Sequence, residues 1–261
     1  MFDLGLFTTG MGFLLGAILG SFANVLICRM PDNKTIMGRS RCRSCNQVIP
    51  WHNNIPLFSF FLLQGKCSFC QAKFSFRYPL VEFLMAGLFA LIINQYGISW
   101  LTLEYLILIF GLVTASFIDY DHMILPDEIT LGGIVIGLVG AALNPERNFT
   151  EALLGVLFGG GSLWLVAYIY FIFTGREGLG GGDIKLLAWL GALLGWKAIP
   201  FIILSSSVIG SVVGLIVTKK GENGLKTMIP FGPFLALGAL LYLLGLKSLS
   251  IWYIQLFFPE I

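Results

Sequence analysis

The sequence predicts an all-α polytopic membrane protein with about eight transmembrane helices and one small polar insert. Of its 261 residues, 57% are hydrophobic and only 11% are charged, and the mean hydropathy is +0.86. A soluble domain carries about 25% charged residues, so this composition is typical of a membrane protein. The net charge of +2 is too small to suggest a nucleic-acid partner.

Eight apolar stretches are candidates for spanning helices, because a span needs roughly 20 residues of low polarity. They are 5–28, 80–96, 101–118, 129–143, 151–173, 184–198, 200–218 and 231–247. The first lacks a basic leading segment and is followed by Arg29, so we expect a retained helix rather than a cleaved signal peptide. We therefore expect a first transmembrane helix at 1–28, a polar insert at 29–79 and a membrane region at 80–261.

Lysine and arginine are distributed unevenly between the two sides of these helices. If the N-terminus lies outside, thirteen of the sixteen fall on the cytoplasmic side. That side then holds Lys185 and the loops 29–79, 119–128, 174–183 and 219–230. The other side holds Arg147, Lys197 and Lys247. Because cytoplasmic loops are enriched in basic residues, we expect the N-terminus outside and the insert at the cytoplasmic face.

The insert contains two C-x-x-C pairs, Cys42 with Cys45 and Cys67 with Cys70. Each pair forms a tight turn that presents two thiolates, and two pairs complete a tetrahedral shell around Zn²⁺. Four thiolates leave no open position for water, so we expect a structural zinc site. The alternatives are two disulfides, which a reducing cytoplasm disfavours, or four unligated thiols.

Two other candidate ligands, Cys28 and His52, receive no metal-binding role. Free cysteine packs like a small hydrophobic residue, and four cysteines already suffice for a zinc site.

Two segments place carboxylates beside helix ends, near the cytoplasmic face. Ionisable residues at membrane depth are energetically unfavourable and usually functional. The first segment holds Asp119, Asp121, His122 and Asp127, and the second is the glycine run Gly180, Gly181 and Gly182 followed by Asp183. Glycines lack a Cβ atom, so an extended peptide could approach this backbone closely and pair with it. The alternative is a loop in which Asp183 only caps the next helix.

A pair of neighbouring carboxylates can hydrolyse a peptide bond. Two carboxylates held close together cannot both ionise readily, so one keeps a proton. The ionised member can take a proton from water while the protonated member polarises the scissile carbonyl. The chain has only two histidines, His52 and His122, and neither a G-x-S-x-G nor an H-E-x-x-H motif, which disfavours serine and zinc proteases.

Several segments follow one another in a distinctive order along nearly the whole chain. They are Gly20–Pro31, the two C-x-x-C pairs, Asn54–Leu57, Arg77–Glu82, the Asp119 segment, Gly180–Lys185 and Pro230–Leu235. This order resembles the type IV prepilin peptidase family of GxGD membrane aspartyl proteases. That family's catalytic pair is an aspartate seven residues before the proline of a Leu-Pro-Asp element and the GxGD aspartate. The resemblance therefore assigns catalysis to Asp119, seven residues before Pro126, and to Asp183.

The resemblance also implies substrates and a second activity. The family cleaves the short basic leader of prepilins and pseudopilins after a glycine, at the cytoplasmic face of the bacterial inner membrane. Many members then methylate the new N-terminus with S-adenosylmethionine, an activity associated with the N-terminal part of the chain. Because the insert is present here, we expect methylation as well. Glu82 matches a family position and is a candidate for the methylation site, or else a carboxylate stabilised by the dipole of its helix.

The remaining polar residues near Asp119 receive structural interpretations. We expect Asp127 to cap the helix that begins near Glu128, Asp121 to tune the site or face water, and His122 to lie at the surface. Two rival functions stay open on the residues alone. A transporter would use the buried aspartates as relays, although no repeated halves are visible. A scaffold would use the insert to recruit a partner.

Overall fold

The computed structural model describes residues 4–176, 178–220 and 229–246, and its regular elements there are all helical apart from two isolated β-bridges. The α-helices are α1 (Leu4–Arg29), α2 (Phe58–Leu62), α3 (Arg77–Tyr96), α4 (Trp100–His122), α5 (Asp127–Leu143), α6 (Phe149–Thr174), α7 (Gly181–Leu194), α8 (Ile199–Lys220) and α9 (Gly232–Leu241). A π-helical turn, Tyr242–Leu246, follows α9. This confirms the predicted all-α class.

All eight predicted spans coincide with helices, and α2 is the additional one. Five helices are long and apolar enough to cross a membrane: α1, α3, α4, α6 and α8 with the turn before it. The helices α5, α7 and α9 are shorter than the 18 residues taken as the minimum for a span, with 17, 14 and 10 residues. Most of the predicted loop 219–230, and Lys247, lie outside the described residues.

The chain forms two compact units, residues 1–114 and 115–261. In the first unit, α1 packs against α3 through glycines spaced four residues apart. A Cβ atom at Gly16 would lie 2.7 Å from Ala86 Cα, and one at Gly20 would lie 2.7 Å from Glu82 Cα. Gly12, one helical turn earlier, meets Ile93. The two helices therefore run antiparallel in direct backbone contact, and both ends of the insert emerge from the same end of this pair.

In the second unit, α7 lies between α5 and α6. A Cβ atom at Gly155 of α6 would collide with the carbonyl oxygen of Gly191 in α7. On the other side, Gly133 of α5 faces the ring of Trp189. The residues from Leu186 to Leu193 are consequently all buried. A helix too short to span the bilayer alone is thus shielded by its neighbours.

Candidate functional site

Asp119 lies in the last turn of α4 and is only 6% exposed. Its Oδ2 atom accepts a hydrogen bond from the backbone N–H of Gly232, with 3.0 Å between the heavy atoms. Gly232 is the first residue of α9, so this N–H is one of the donors that a helix start leaves without an intrahelical partner. A Cβ atom at Gly232 would lie 2.6 Å from the same oxygen. Glycine is therefore required for α9 to approach the carboxylate this closely.

Asp183 is the third residue of α7 and is half-buried. The N-cap position belongs to Gly180, and no side chain makes a capping hydrogen bond there. The alternative in which Asp183 caps the helix is therefore wrong. Its carboxylate instead lies at the positive end of the α7 dipole, and a Cβ atom at Gly180 would be 3.5 Å from its Oδ2 atom.

The two carboxylates belong to one site within the second unit. They are close enough for the charge of Asp119 to act electrostatically on Asp183. Leu125, in the loop after α4, packs between the starts of two helices. A Cβ atom at Gly182 would lie 2.8 Å from Leu125 Cβ, and one at Gly232 would lie 3.3 Å from Leu125 Cδ2. The end of α4 and the starts of α7 and α9 thus converge around the pair.

An ion pair joins two of the elements beside this site. Lys185 Nζ, at the fifth position of α7, lies 2.7 Å from Asp127 Oδ1, at the first position of α5. The expectation that Asp127 caps α5 is wrong, because Pro126 occupies the N-cap position and Asp127 is already helical. Asp121 and His122 are exposed at the end of α4, as expected.

Sequence reasoning assigned no role to Gly232, Leu125 or the Lys185 ion pair. The sequence could have predicted an ion pair for Lys185, since a lysine two residues after a membrane aspartate needs a charged partner. Gly232 had a weaker one, as the glycine inside the conspicuous Pro-Phe-Gly-Pro stretch. Only the folded chain shows that its N–H reaches Asp119.

The four insert cysteines converge in the first unit. Their Sγ atoms all lie within 4.8 Å of one another, with Cys42 and Cys70 at 3.8 Å and Cys45 and Cys67 at 3.9 Å. Zn–S bonds of about 2.3 Å place the sulfurs of a tetrahedral site ~3.8 Å apart. The cluster can therefore hold a metal ion with little rearrangement.

The two C-x-x-C turns have the same backbone construction. The N–H of Cys42 donates to the carbonyl of Gln47, and the N–H of Cys67 donates to the carbonyl of Ala72. Each turn closes with a left-handed residue at the same position, Asn46 with a φ of 58° and Gln71 with a φ of 59°. This repeated construction presents two thiols from each turn towards a common centre.

The close approach of the four sulfurs also favours a bound cation. The backbone N–H groups of Cys45 and Ser44 lower the pKa of Cys42 to about 6. The pKa of Cys45 rises to about 11, because burial and the neighbouring cysteines outweigh the lowering by the backbone N–H of Gln47. Four sulfurs this close cannot all become thiolates unless a positive ion compensates their charge.

Glu82 is a buried carboxylate in the first unit, 8% exposed, in the second turn of α3. Its Oε2 atom accepts the backbone N–H of Leu57 at 2.7 Å, and Ser21 of α1 also contacts it by a hydrogen bond. Because Glu82 is the sixth residue of α3, it lies beyond the first turn, where a helix dipole stabilises acidic groups. The dipole alternative is therefore wrong, and Glu82 ties the insert to both helices.

Two family models match the chain. The model described as "Bacterial Peptidase A24 N-terminal domain" matches residues 14–96, and the model described as "Type IV leader peptidase family" matches residues 106–215. The first match includes the cysteine insert and Glu82, and the second includes both Asp119 and Asp183.

Curated relatives are similar over nearly the whole chain. A prepilin leader peptidase/N-methyltransferase from Pseudomonas aeruginosa is 36% identical over 93% of this chain and 92% of its own length. Proteins of the same name from Aeromonas hydrophila and Neisseria gonorrhoeae are each 37% identical, over 94% of this chain and 93% of their own length. No solved structure matches the chain.

The cysteine cluster predicts a measurable metal content. We expect the purified protein to contain about one zinc ion per chain, measured by inductively coupled plasma mass spectrometry. The double variant Cys42→Ser/Cys67→Ser should lose the metal and unfold at a lower temperature. Cys28→Ser, which changes the one cysteine outside the cluster, should keep it. A wild-type protein that is fully folded after purification in zinc-containing buffer, yet metal-free, would contradict the assignment.

Proposed function

The chain belongs to the type IV leader peptidase family, and we propose that it is a membrane aspartyl endopeptidase that cleaves the leader from type IV prepilins or pseudopilins. The family model covers both aspartates, and the relatives carry the name prepilin leader peptidase/N-methyltransferase. The observation that carries the proposal is the convergence of Asp119 and Asp183 at three helix ends. Family membership leaves the transporter and scaffold interpretations without support.

In the proposed reaction, Asp119 and Asp183 share one proton. The ionised carboxylate takes a proton from a water molecule, and this water attacks the scissile carbonyl carbon. The protonated carboxyl group donates a hydrogen bond to the carbonyl oxygen and so stabilises the charge that develops there. When the tetrahedral intermediate collapses, the C–N bond breaks and the leaving amine takes the proton that the first carboxylate removed from water, so the pair again holds one shared proton. No covalent enzyme intermediate is required.

The glycine run offers a place for the substrate backbone. Gly180 and Gly181 are exposed, and a Cβ atom at Gly181 would meet nothing within 4 Å. An extended peptide could therefore lie against this backbone, directly beside Asp183. Gly182 points the other way, towards Leu125, so we assign it to packing as well as to substrate approach.

The cysteine cluster fits a structural zinc ion held by Cys42, Cys45, Cys67 and Cys70. A zinc ion with four protein ligands has no free position for water. Its proposed role is to stabilise the insert, which has few buried apolar residues of its own.

We extend the proposal to methylation of the new N-terminus, with S-adenosylmethionine as the methyl donor. The relatives' names include N-methyltransferase. A buried carboxylate such as Glu82 suits the positive charge of a sulfonium cofactor or of an amine substrate. Glu82 is therefore the candidate residue for this second activity.

The proposed location is the bacterial inner membrane, with several passes and the N-terminus outside. The uneven distribution of lysine and arginine supports this orientation. It places the cysteine insert and the aspartate pair at the cytoplasmic face, where prepilin leaders are expected.

Cleavage should depend on both aspartates. We expect Asp119→Asn and Asp183→Asn each to lower the rate of leader cleavage by roughly 10²–10⁴-fold, because either change removes one of the two carboxyl groups that share the proton. The measurement is the mass of the product N-terminus from a prepilin, with purified enzyme in liposomes.

Asp121→Asn is the matched control for that experiment, because Asp121 lies on the same turn of α4 but is exposed. It should cleave at the wild-type rate. Cleavage at the wild-type rate by either Asp119→Asn or Asp183→Asn would refute the catalytic assignment.

Methylation should depend on the charge of Glu82. We expect Glu82→Gln and Glu82→Ala both to lose methylation of pre-cleaved substrate while retaining leader cleavage, read from the methyl mass on the product. A glutamine oxygen can still accept the N–H of Leu57, so Glu82→Gln separates charge from anchoring. Full methylation by Glu82→Gln would show that the residue only anchors the insert.

A further inference from the structure

The short helix α2 presents a hydrophobic surface that the proposed reactions do not use. Phe58, Phe61 and Leu62 are 59%, 66% and 66% exposed. Phe60 packs against Phe61 and against Phe76, with ring centroids 5.9 and 6.1 Å apart. Phe76 directly precedes α3, so this surface begins where a spanning helix begins. We call Phe58, Phe61 and Leu62 the α2 surface.

Hydrogen bonding places the start of α2 beside the helix pair formed by α1 and α3, near the end of that pair from which the insert emerges. Leu57, which precedes α2, donates its N–H to Glu82, five residues or ~7.5 Å along α3 from its first residue, Arg77. On the other side, Glu82 meets Gly20, nine residues or ~13 Å from Arg29 at the end of α1. Because a helical side chain leans towards the N-terminus of its helix, the Glu82 carboxylate lies nearer the start of α3 than the Glu82 backbone does. The start of α2 therefore lies beside the first turns of α3, and not beyond the end of the antiparallel pair.

The backbone of this segment is suited to a region with little water. A backbone N–H at membrane depth must find a partner in the protein. The N–H of Ile55 donates to Ser59 Oγ, that of Leu57 to Glu82, and that of Phe58 to the carbonyl of Pro56. The hydroxyl of Ser59 donates in turn to the carbonyl of His52. The polar groups are thus paired while the large apolar side chains face outwards.

The charge of the insert complements an anionic membrane surface. Residues 29–79 contain eight lysines and arginines and one acidic residue, Asp32. The net charge stays positive even when four thiolates bind one Zn²⁺ ion. Basic segments next to a membrane helix are attracted to anionic headgroups.

We propose that α2 is an interfacial helix that inserts Phe58, Phe61 and Leu62 into the protein's own bilayer, while the basic residues of the insert contact anionic lipid headgroups. This geometry favours lipid as the partner of the α2 surface, because that surface lies next to the start of the spanning helix α3. A soluble partner would have to displace lipid to reach it. The insert is then a part of the membrane domain rather than a free cytoplasmic module. This inference does not depend on the proposed catalytic function.

Photocrosslinking of the full-length protein in nanodiscs tests the proposal. The photoreactive residue p-benzoylphenylalanine replaces Phe61, Phe83 or Gln47 in turn, and lipid adducts are counted by mass spectrometry. Phe83 is a control on the apolar helix α3, 60% exposed, and Gln47 is an exposed control beside the first C-x-x-C turn that contributes backbone groups to the hydrogen bonds there. The zinc content of each variant verifies that its insert is folded.

We expect an adduct yield at position 61 within about twofold of that at position 83, and little at position 47. A yield at position 61 as low as at position 47, or crosslinks mainly to another protein chain, would overturn the proposal. Nanodiscs of phosphatidylcholine alone are compared with an equal mixture with phosphatidylglycerol. The anionic lipid should raise the adduct yield at position 61 by roughly twofold. An unchanged yield would overturn the proposal that the basic residues of the insert contact anionic headgroups.

Discussion

The hydrogen bond from the backbone N–H of Gly232 to Asp119 is the interaction on which the arrangement of the site depends. A buried carboxylate in a membrane helix requires a compensating donor, and the start of α9 supplies one. The absence of a Cβ atom at Gly232 allows this approach. Leu125, in the loop after α4, contacts both Gly232 and Gly182, so the start of α7, which carries Asp183, lies beside the same helix ends.

The position of Asp183 depends in turn on glycine packing deeper in the membrane region. Gly155 and Gly191 let the backbones of α6 and α7 touch, and Gly133 accepts the ring of Trp189. These contacts hold a 14-residue helix between its neighbours, so that its first turn carries the Asp183 carboxylate towards the end of α4. The ion pair between Lys185 and Asp127 adds a link to α5. Packing far from the site thus determines where the reacting groups lie.

The helices and the cysteine cluster were predictable from the sequence because their signals are local. Apolar runs gave the eight main helices, and the C-x-x-C spacing gave the four sulfurs, which converge as expected. The family motifs singled out Asp119 and Asp183, but no local rule shows that residues 64 positions apart meet. The capping expectation for Asp127 failed because Pro126 already occupies that position. The helix α2 was missed because five residues are too short for a periodic pattern.

The proposed mechanism requires Asp119 and Asp183 to share one proton, and this requirement determines the pH dependence of kcat/KM for prepilin cleavage. At low pH both carboxyl groups are protonated and no base remains for water. At high pH both are ionised and no proton remains for the carbonyl. We therefore predict a profile that falls on both sides of one optimum, with the same shape for Asp121→Asn. A rate that rises with pH to a lasting plateau would contradict the shared proton and require a different catalytic group.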